Sequence, residues 1–255
     1  MKLTLNKGVL MVAFCWLGFS ITSLAQEREI IPLNEHFFPV KTEGENQQYS
    51  KIVSISPEGE LVEKIYSLEY SLVSIKKSIF EKGQTMEPLW EEKQEFSSDG
   101  ELKYTQLKYR KANSRHTKVL VGEDLILDLE CGSSSKCNGL FVSSTGYQET
   151  VDRDIFKPSF PTTEGWQKFL TGNLTYPQAA RNADKEAEVW VGMKINDFGE
   201  IVERAVVNES ASHPSLIEEV ERILEIYEGD VVPARDLEGD YITAWMYFPV
   251  RFILN

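Results

Sequence analysis

The sequence predicts an α+β fold, in which a C-terminal domain of two helices on a three-stranded antiparallel sheet (165–255) follows a small β-rich antiparallel module (26–142). Three observations predict the C-terminal domain. Apolar residues alternate with polar or small ones along Glu188–Ile195, which is typical of a half-buried strand. An apolar stripe at helical spacing runs through Leu216–Tyr227, and the chain ends in a second long alternating segment, Tyr241–Leu254.

The N-terminus predicts a secretory signal peptide over residues 1–25. A start that carries lysines is followed by the apolar run Gly8–Phe19 and by small residues that end in Ala25. This order is typical of a signal cut between Ala25 and Gln26, and it places the mature protein in the periplasm. The alternative is an uncleaved helix that anchors the chain in the inner membrane, because the apolar stretch is close to the shortest that spans a bilayer.

Residues 26–142 are rich in strand formers and contain two glycine turns that resemble each other. Ser56–Leu61 and Ser98–Leu102 each lead into an alternating segment, which predicts a hairpin in both places. The segment Ile75–Lys82 fits a helical turn or a strand, and its periodicity does not decide between them. Residues 143–164 are polar and contain two prolines, which predicts a short linker between the two modules.

Cys131 and Cys137 are the only cysteines that remain once the predicted leader is removed. In an oxidising compartment such a pair is most simply a disulfide that closes a short loop. The alternative is a redox or hydrolytic enzyme within residues 26–142, which would use these thiols together with His116. The spacing of the two cysteines differs from that of a redox Cys-x-x-Cys motif.

The C-terminal stretch carries an ordered set of short motifs. In chain order they are Tyr176-Pro177, Val189–Val191, Asp197–Gly199, Pro233-Ala234 and Pro249–Phe252. Together with the order of the elements, these motifs resemble the C-terminal domain of the TonB family, as found in envelope proteins of Bacteroidetes type. The resemblance covers residues 165–255.

The resemblance implies a binding module rather than an enzyme. In such domains the last strand lies at a sheet edge and receives an extended segment, the TonB box, from an outer-membrane transporter, so the function is linked to transmembrane transport. Strand addition of this kind uses the unpaired backbone groups of an edge strand. The residues expected to contact the partner are Tyr241, Thr243, Trp245, Tyr247 and, on the neighbouring strand, Trp190. The alternative for these aromatic residues is packing against the first helical segment or against the N-terminal module.

Charge and motifs exclude several other functions. The formal net charge of −13 repels phosphate backbones and disfavours nucleic-acid binding. The three histidines, His36, His116 and His213, lack the spacing of metal ligands, and no phosphate-binding loop or nucleophile motif is present. We therefore expect no catalytic residues, metal, cofactor or small-molecule substrate. The partner is expected to be an outer-membrane TonB-dependent receptor or another envelope protein. The alternative is a periplasmic scaffold that homodimerises through the same edge strand.

Overall fold

The structure is a computed structural model that describes residues 28–41, 46–81, 87–111, 114–132, 136–208 and 212–254. The predicted signal peptide and its cleavage position between Ala25 and Gln26 lie outside these residues. None of the helices among the described residues is long and apolar enough to cross a membrane.

Ten consecutive strands form one antiparallel meander, in which each strand pairs with the next along the chain. The strands are β1 (Glu29–Leu33), β2 (Tyr49–Ile55), β3 (Leu61–Ser67), β4 (Leu72–Ile79), β5 (Trp90–Phe96), β6 (Leu102–Lys111), β7 (Ser114–Val121), β8 (Asp124–Gly132), β9 (Cys137–Val142) and β10 (Gln148–Val151).

Tight glycine turns join several of these strands. Between β2 and β3 the Ser56 amide donates to the Glu60 carbonyl at 2.8 Å, and the Gly59 amide donates to the Ser56 carbonyl at 2.9 Å. Gly59 has a φ of 86°, a left-handed conformation that costs glycine little. Gly100 repeats this geometry between β5 and β6 with the same φ of 86°. Both hairpins predicted from the sequence are therefore confirmed.

Strands β2 to β6 carry charged side chains that pair across the sheet. Glu63 accepts from Lys51 at 3.2 Å and also contacts Lys76, while Lys108 lies 3.1 Å from Glu91 on the next strand. Cross-strand pairs of opposite charge each contribute a few tenths of a kcal/mol to about 1 kcal/mol. These strands are therefore stabilised by backbone pairing and paired charges rather than by one buried apolar face.

The rest of the chain forms a helical layer on a small second sheet. The helices are α1 (Thr163–Asn173), α2 (Gln178–Asn182) and α3 (Pro214–Glu225). The strands are β11 (Ala187–Ile195), β12 (Ile201–Val206), β13 (Ala234–Arg235), β14 (Tyr241–Ile242) and β15 (Ala244–Phe252). The sheet has the order β12-β11-β15, while β13 and β14 pair separately with each other.

The core of this region lies between α3 and the middle strand. Val191 and Met193 of β11 are fully buried, as are Val220 and Ile223 of α3. Full burial of each such side chain stabilises the fold by about 1.5–3 kcal/mol. Trp166 of α1 completes this core, so the alternation of β11 and the stripe of α3 face each other.

The predicted α+β fold class is wrong, because the described residues are mainly β, with fifteen strands and only three short helices. The N-terminal part is a ten-stranded sheet rather than a small module. In the described residues the helices number three, and they are short, with 11, 5 and 12 residues. The ambiguous segment Ile75–Lys82 overlaps β4. Within the predicted linker, the residues up to Val151 form the last hairpin of the sheet, and α1 begins at Thr163.

Candidate partner-binding edge

β15 is an edge strand. It pairs with β11 over its whole length, from Ala244 opposite Ile195 to Phe252 opposite Ala187. Among the described strands none pairs with its other side. The edge therefore carries a row of backbone groups without a strand partner, which is the condition for strand addition.

The hydrogen bonds of Trp190 show which residues of β15 face the open edge. The Trp190 amide donates to Asn208 Oδ1 at 2.7 Å, and its carbonyl accepts from the Val207 amide at 2.9 Å, so both groups point toward β12. Backbone direction alternates along a strand, so Val189, Val191, Met193 and Ile195 direct their groups toward β15. Their partners on β15 are Val250, Phe248, Met246 and Ala244. The alternate residues Trp245, Tyr247, Pro249 and Arg251 consequently direct their backbone groups outward.

Pro249 fits this assignment. It lies opposite Trp190, whose backbone groups point away from β15, so no ladder hydrogen bond requires a Pro249 amide. Proline is tolerated in sheets at edge positions of this kind, where the missing donor would face solvent. At the same position an added strand would lack one donor.

The side chains of the same outward-facing residues form an aromatic cluster on the sheet face opposite the helices. Trp245 and Tyr247 stack with ring centroids 6.0 Å apart. Both rings lie over Gly192 of β11, where an added Cβ would be 3.1 Å from atoms of each ring. Lys194 places its ammonium 5.7 Å from the Trp245 centroid. The absence of a side chain at Gly192 therefore allows both rings to lie flat on the sheet.

The segment between β1 and β2 covers this aromatic cluster. His36 approaches Trp245 edge to face at 4.7 Å, and its Nδ1 is hydrogen-bonded to the Tyr247 hydroxyl at 3.1 Å. Phe38 lies 5.4 Å from Trp190 and 6.0 Å from Tyr247, measured between ring centroids. The face is therefore occupied by the N-terminal part of the chain, which was one of the two alternatives left open by the sequence.

Burial of this contact affects the Tyr247 phenol. Removal from solvent, together with the smaller effects of the Glu35 and Glu203 carboxylates, raises the pKa of Tyr247 to about 12. The hydroxyl stays protonated at neutral pH and remains available for the hydrogen bond with His36.

The structure separates the predicted contact residues into two groups. Trp190, Trp245 and Tyr247 lie together on the covered face. Tyr241 lies on β14, where its ring is 5.0 Å from the guanidinium carbon of Arg235 and its hydroxyl accepts a hydrogen bond from the same guanidinium. Thr243 lies between β14 and β15 and is exposed.

His36 and Phe38 were not predicted to belong to the site. They lie about 150 residues or more before Trp190 in the sequence, and no local pattern links the two segments. The only available signal was a pair of phenylalanines followed by Pro39 in a polar stretch.

The other end of the ten-stranded sheet also contacts the C-terminal region. Arg235 binds Glu149 of β10 at 2.5 Å, and this hydrogen bond is the main reason that the pKa of Glu149 is lowered. Arg153 donates to the Pro233 carbonyl at 2.9 Å, and the Ser144 amide donates to the Leu237 carbonyl at 3.2 Å. The two parts of the chain are thus joined at both ends of the sheet.

The other residues singled out from the sequence lie away from this edge. Cys131 and Cys137 are paired across β8 and β9 and form a disulfide in the structure. His116 pairs with Asp128 on the meander, and His213 lies at the start of α3, hydrogen-bonded to Ser215. Within the described ranges, no three His, Cys, Asp or Glu side chains are placed to hold a metal ion.

Comparison of the chain with protein families, with curated proteins and with solved structures finds no match.

Proposed function

We propose that this protein is an exported cell-envelope protein that binds an extended segment of a partner by adding it as a strand to the open edge of β15. The single observation that carries the proposal is the one-sided pairing of β15 with β11. The outward backbone groups of Trp245 and Tyr247 supply two donors and two acceptors, and each bond contributes about 1 kcal/mol net.

The partner class follows from the resemblance of the C-terminal motifs to TonB-family domains. On this proposal the partner is an outer-membrane receptor that presents a TonB-box type segment in the periplasm, and binding is linked to transmembrane transport. The contact between the β1–β2 segment and the aromatic face supports an edge-on mode, because that face is already occupied by His36 and Phe38. The backbone edge of β15, rather than the aromatic face, is then the surface offered to the partner.

Site-specific cross-linking tests the proposal. A photoreactive residue at the exposed position 243 should capture one envelope protein through an extended segment, identified by mass spectrometry of the cross-linked peptide. The matched control is position 202 on β12, which is also exposed but lies at the opposite edge of the same sheet. No adduct from position 243, or the same adducts from both positions, would contradict the proposal. An adduct between two copies of this chain would favour the homodimeric scaffold instead.

A backbone variant then tests whether main-chain hydrogen bonds carry the binding. Trp245→Pro removes an outward amide donor of the open edge, whereas Trp245→Ala also removes the indole ring but keeps the amide. We expect the captured partner to bind Trp245→Pro at least severalfold more weakly than it binds Trp245→Ala. Equal affinity of the two variants would argue against strand addition at this position.

A further inference from the structure

A cavity of about 420 Å³ lies on the ten-stranded sheet, where strands β5 to β8 meet the segment that follows β10. Four cationic side chains line it. They are Lys108 and Arg110 of β6, Arg115 of β7 and Lys157. Leu129 and Cys131 of β8 form an apolar part of the wall, so the cavity combines positive charge with an apolar surface.

The strand register explains why these groups converge. Arg110 lies directly opposite Arg115, and Arg115 lies opposite Cys131 on the next strand. Residues directly opposite each other share a face of the sheet, as do residues two apart on one strand. Lys108 is therefore on the same face, which is also the face that buries Leu129.

The carboxylates of the cavity do not neutralise all of these cations. Lys108 lies 3.1 Å from Glu91, and Lys157 lies 3.6 Å from Asp154. Arg110 lies 3.4 Å from Glu87 and 3.7 Å from Glu81, two side chains that are more than half exposed and therefore strongly solvated. Arg115 is the one cation lining the cavity that has no carboxylate partner among the described residues.

The backbone of Arg115 pairs with β6 and β8, but its guanidinium forms no hydrogen bond or ion pair with any residue in the part of the chain that the structure describes. Arg115 also faces a like charge, Arg110, in a direct cross-strand pair, an arrangement that destabilises a sheet. Burial and the nearby charge of Lys157 both lower the pKa of Lys108 against the opposing effect of Glu91, which indicates the same crowding of cations.

We propose that this cavity binds a small organic oxyanion, with carboxylate or phosphate groups held by the guanidinium of Arg115 together with Arg110. A guanidinium binds either group through two parallel N–H donors, and the charge-assisted bonds are stronger than neutral ones. The apolar wall accommodates the carbon skeleton of the ligand. This site is independent of the edge of β15 and was not predicted from the sequence.

Calorimetric titration of the purified protein in a phosphate-free buffer tests the proposal. The probes are citrate and glucose 6-phosphate, and the neutral reference is glucose. We expect saturable binding of at least one anion and none of glucose. Tighter binding of citrate identifies a carboxylate ligand, and tighter binding of glucose 6-phosphate identifies a phosphorylated one.

Two variants locate the binding. Arg115→Gln should weaken the preferred anion at least tenfold, because it removes the guanidinium that lacks a protein partner. Lys118→Gln removes a charge from the opposite face of the same strand and should leave the affinity unchanged. Both side chains are partly or fully exposed, and circular dichroism verifies that the variants fold. Absence of saturable binding by both anions, equal binding of glucose, or equal loss in the two variants would overturn the proposal.

Discussion

Replacement of Phe38 by alanine tests whether the β1–β2 segment holds the aromatic face of the C-terminal sheet. The Phe38 ring contacts Trp190 and Tyr247, at centroid distances of 5.4 and 6.0 Å, and is itself half-buried. Full burial of a phenylalanine contributes about 1.5–3 kcal/mol, so half of that is about 1 kcal/mol. Aromatic pairs add about 0.5–1.5 kcal/mol beyond area burial. We therefore expect Phe38→Ala to lower the free energy of unfolding by about 2 kcal/mol.

Tryptophan fluorescence during urea unfolding measures the loss of stability in the C-terminal region, where the Phe38 contacts lie. Of the four tryptophans among the described residues, Trp166, Trp190 and Trp245 lie in the C-terminal region and Trp90 lies in β5, so the emission reports mostly on the C-terminal region. Phe38→Ala should shift the unfolding midpoint to lower urea and shift the native emission to longer wavelength, because water gains access to Trp190.

Phe37→Ala is the matched control. The Phe37 ring is adjacent in sequence but stacks on Tyr49 of β2 at 4.5 Å, within the N-terminal sheet. It should lower the tryptophan-monitored transition less than Phe38→Ala does, because the Phe37 ring contacts Tyr49 of the N-terminal sheet and none of the tryptophans of the C-terminal region. If Phe37→Ala lowered this transition as much as Phe38→Ala did, the assigned role of Phe38 would be refuted.

Two further predictions follow from turn geometry and from charge pairing. Gly199→Ala and Gly100→Ala both force alanine into a left-handed conformation, at a cost of about 1–2 kcal/mol. At Gly199 the new Cβ would also lie 2.7 Å from the Val231 carbonyl oxygen, whereas at Gly100 no atom lies within 4 Å of the new Cβ. Thermal unfolding should therefore show a clearly lower melting temperature for Gly199→Ala than for Gly100→Ala. Burial raises the pKa of Glu63, but its hydrogen bonds and charge interactions with lysines, foremost Lys76, outweigh burial and lower it. The ionised Glu63 carboxylate therefore stabilises the fold fully above its unfolded pKa of about 4.5. This stabilisation is lost as the pH falls below that value through the folded pKa. Melting temperatures measured across this range should fall less steeply for Glu63→Gln, and an unchanged slope would count against the pairing.

The C-terminal strands were readable from the sequence because each has one buried face. Val189, Val191 and Met193 are fully buried on one side of β11, which produces the strict alternation in the sequence. Strand β5, in contrast, reads Trp90–Phe96 with five charged or amide residues between its aromatic ends, and every residue is half-buried. A strand that is half-exposed on both faces leaves no alternation to detect, so the ten-stranded sheet was underestimated and the fold class was wrong.

Only the part of the candidate site that lies within the C-terminal sheet was predictable from the sequence. The period of two along β15 places Trp245 and Tyr247 on one face, and antiparallel pairing brings Trp190 beside them. Tyr241 lies apart from this group because β14 pairs with β13. The alternating pattern continues without a break from Tyr241 into β15, so the sequence does not show that Tyr241 belongs to a different strand. The covering contact by Phe38 is a tertiary contact between segments far apart in the chain, and such contacts leave no local pattern.

The length of the open edge limits the affinity that its backbone alone can provide. β14 ends at Ile242 and pairs with β13, so it does not extend the edge of β15. Pro249 lacks an amide donor. The part of the edge that can form every backbone hydrogen bond therefore spans Ala244–Phe248. The outward groups of Trp245 and Tyr247 allow four hydrogen bonds, which together contribute about 4 kcal/mol and correspond to a dissociation constant of about 1 mM. A partner segment that binds more tightly must therefore add side-chain contacts. Since His36 and Phe38 cover one face of the sheet beside this edge, selection among partner segments is expected to depend on side chains that project toward the helical face, where Phe248 borders the core.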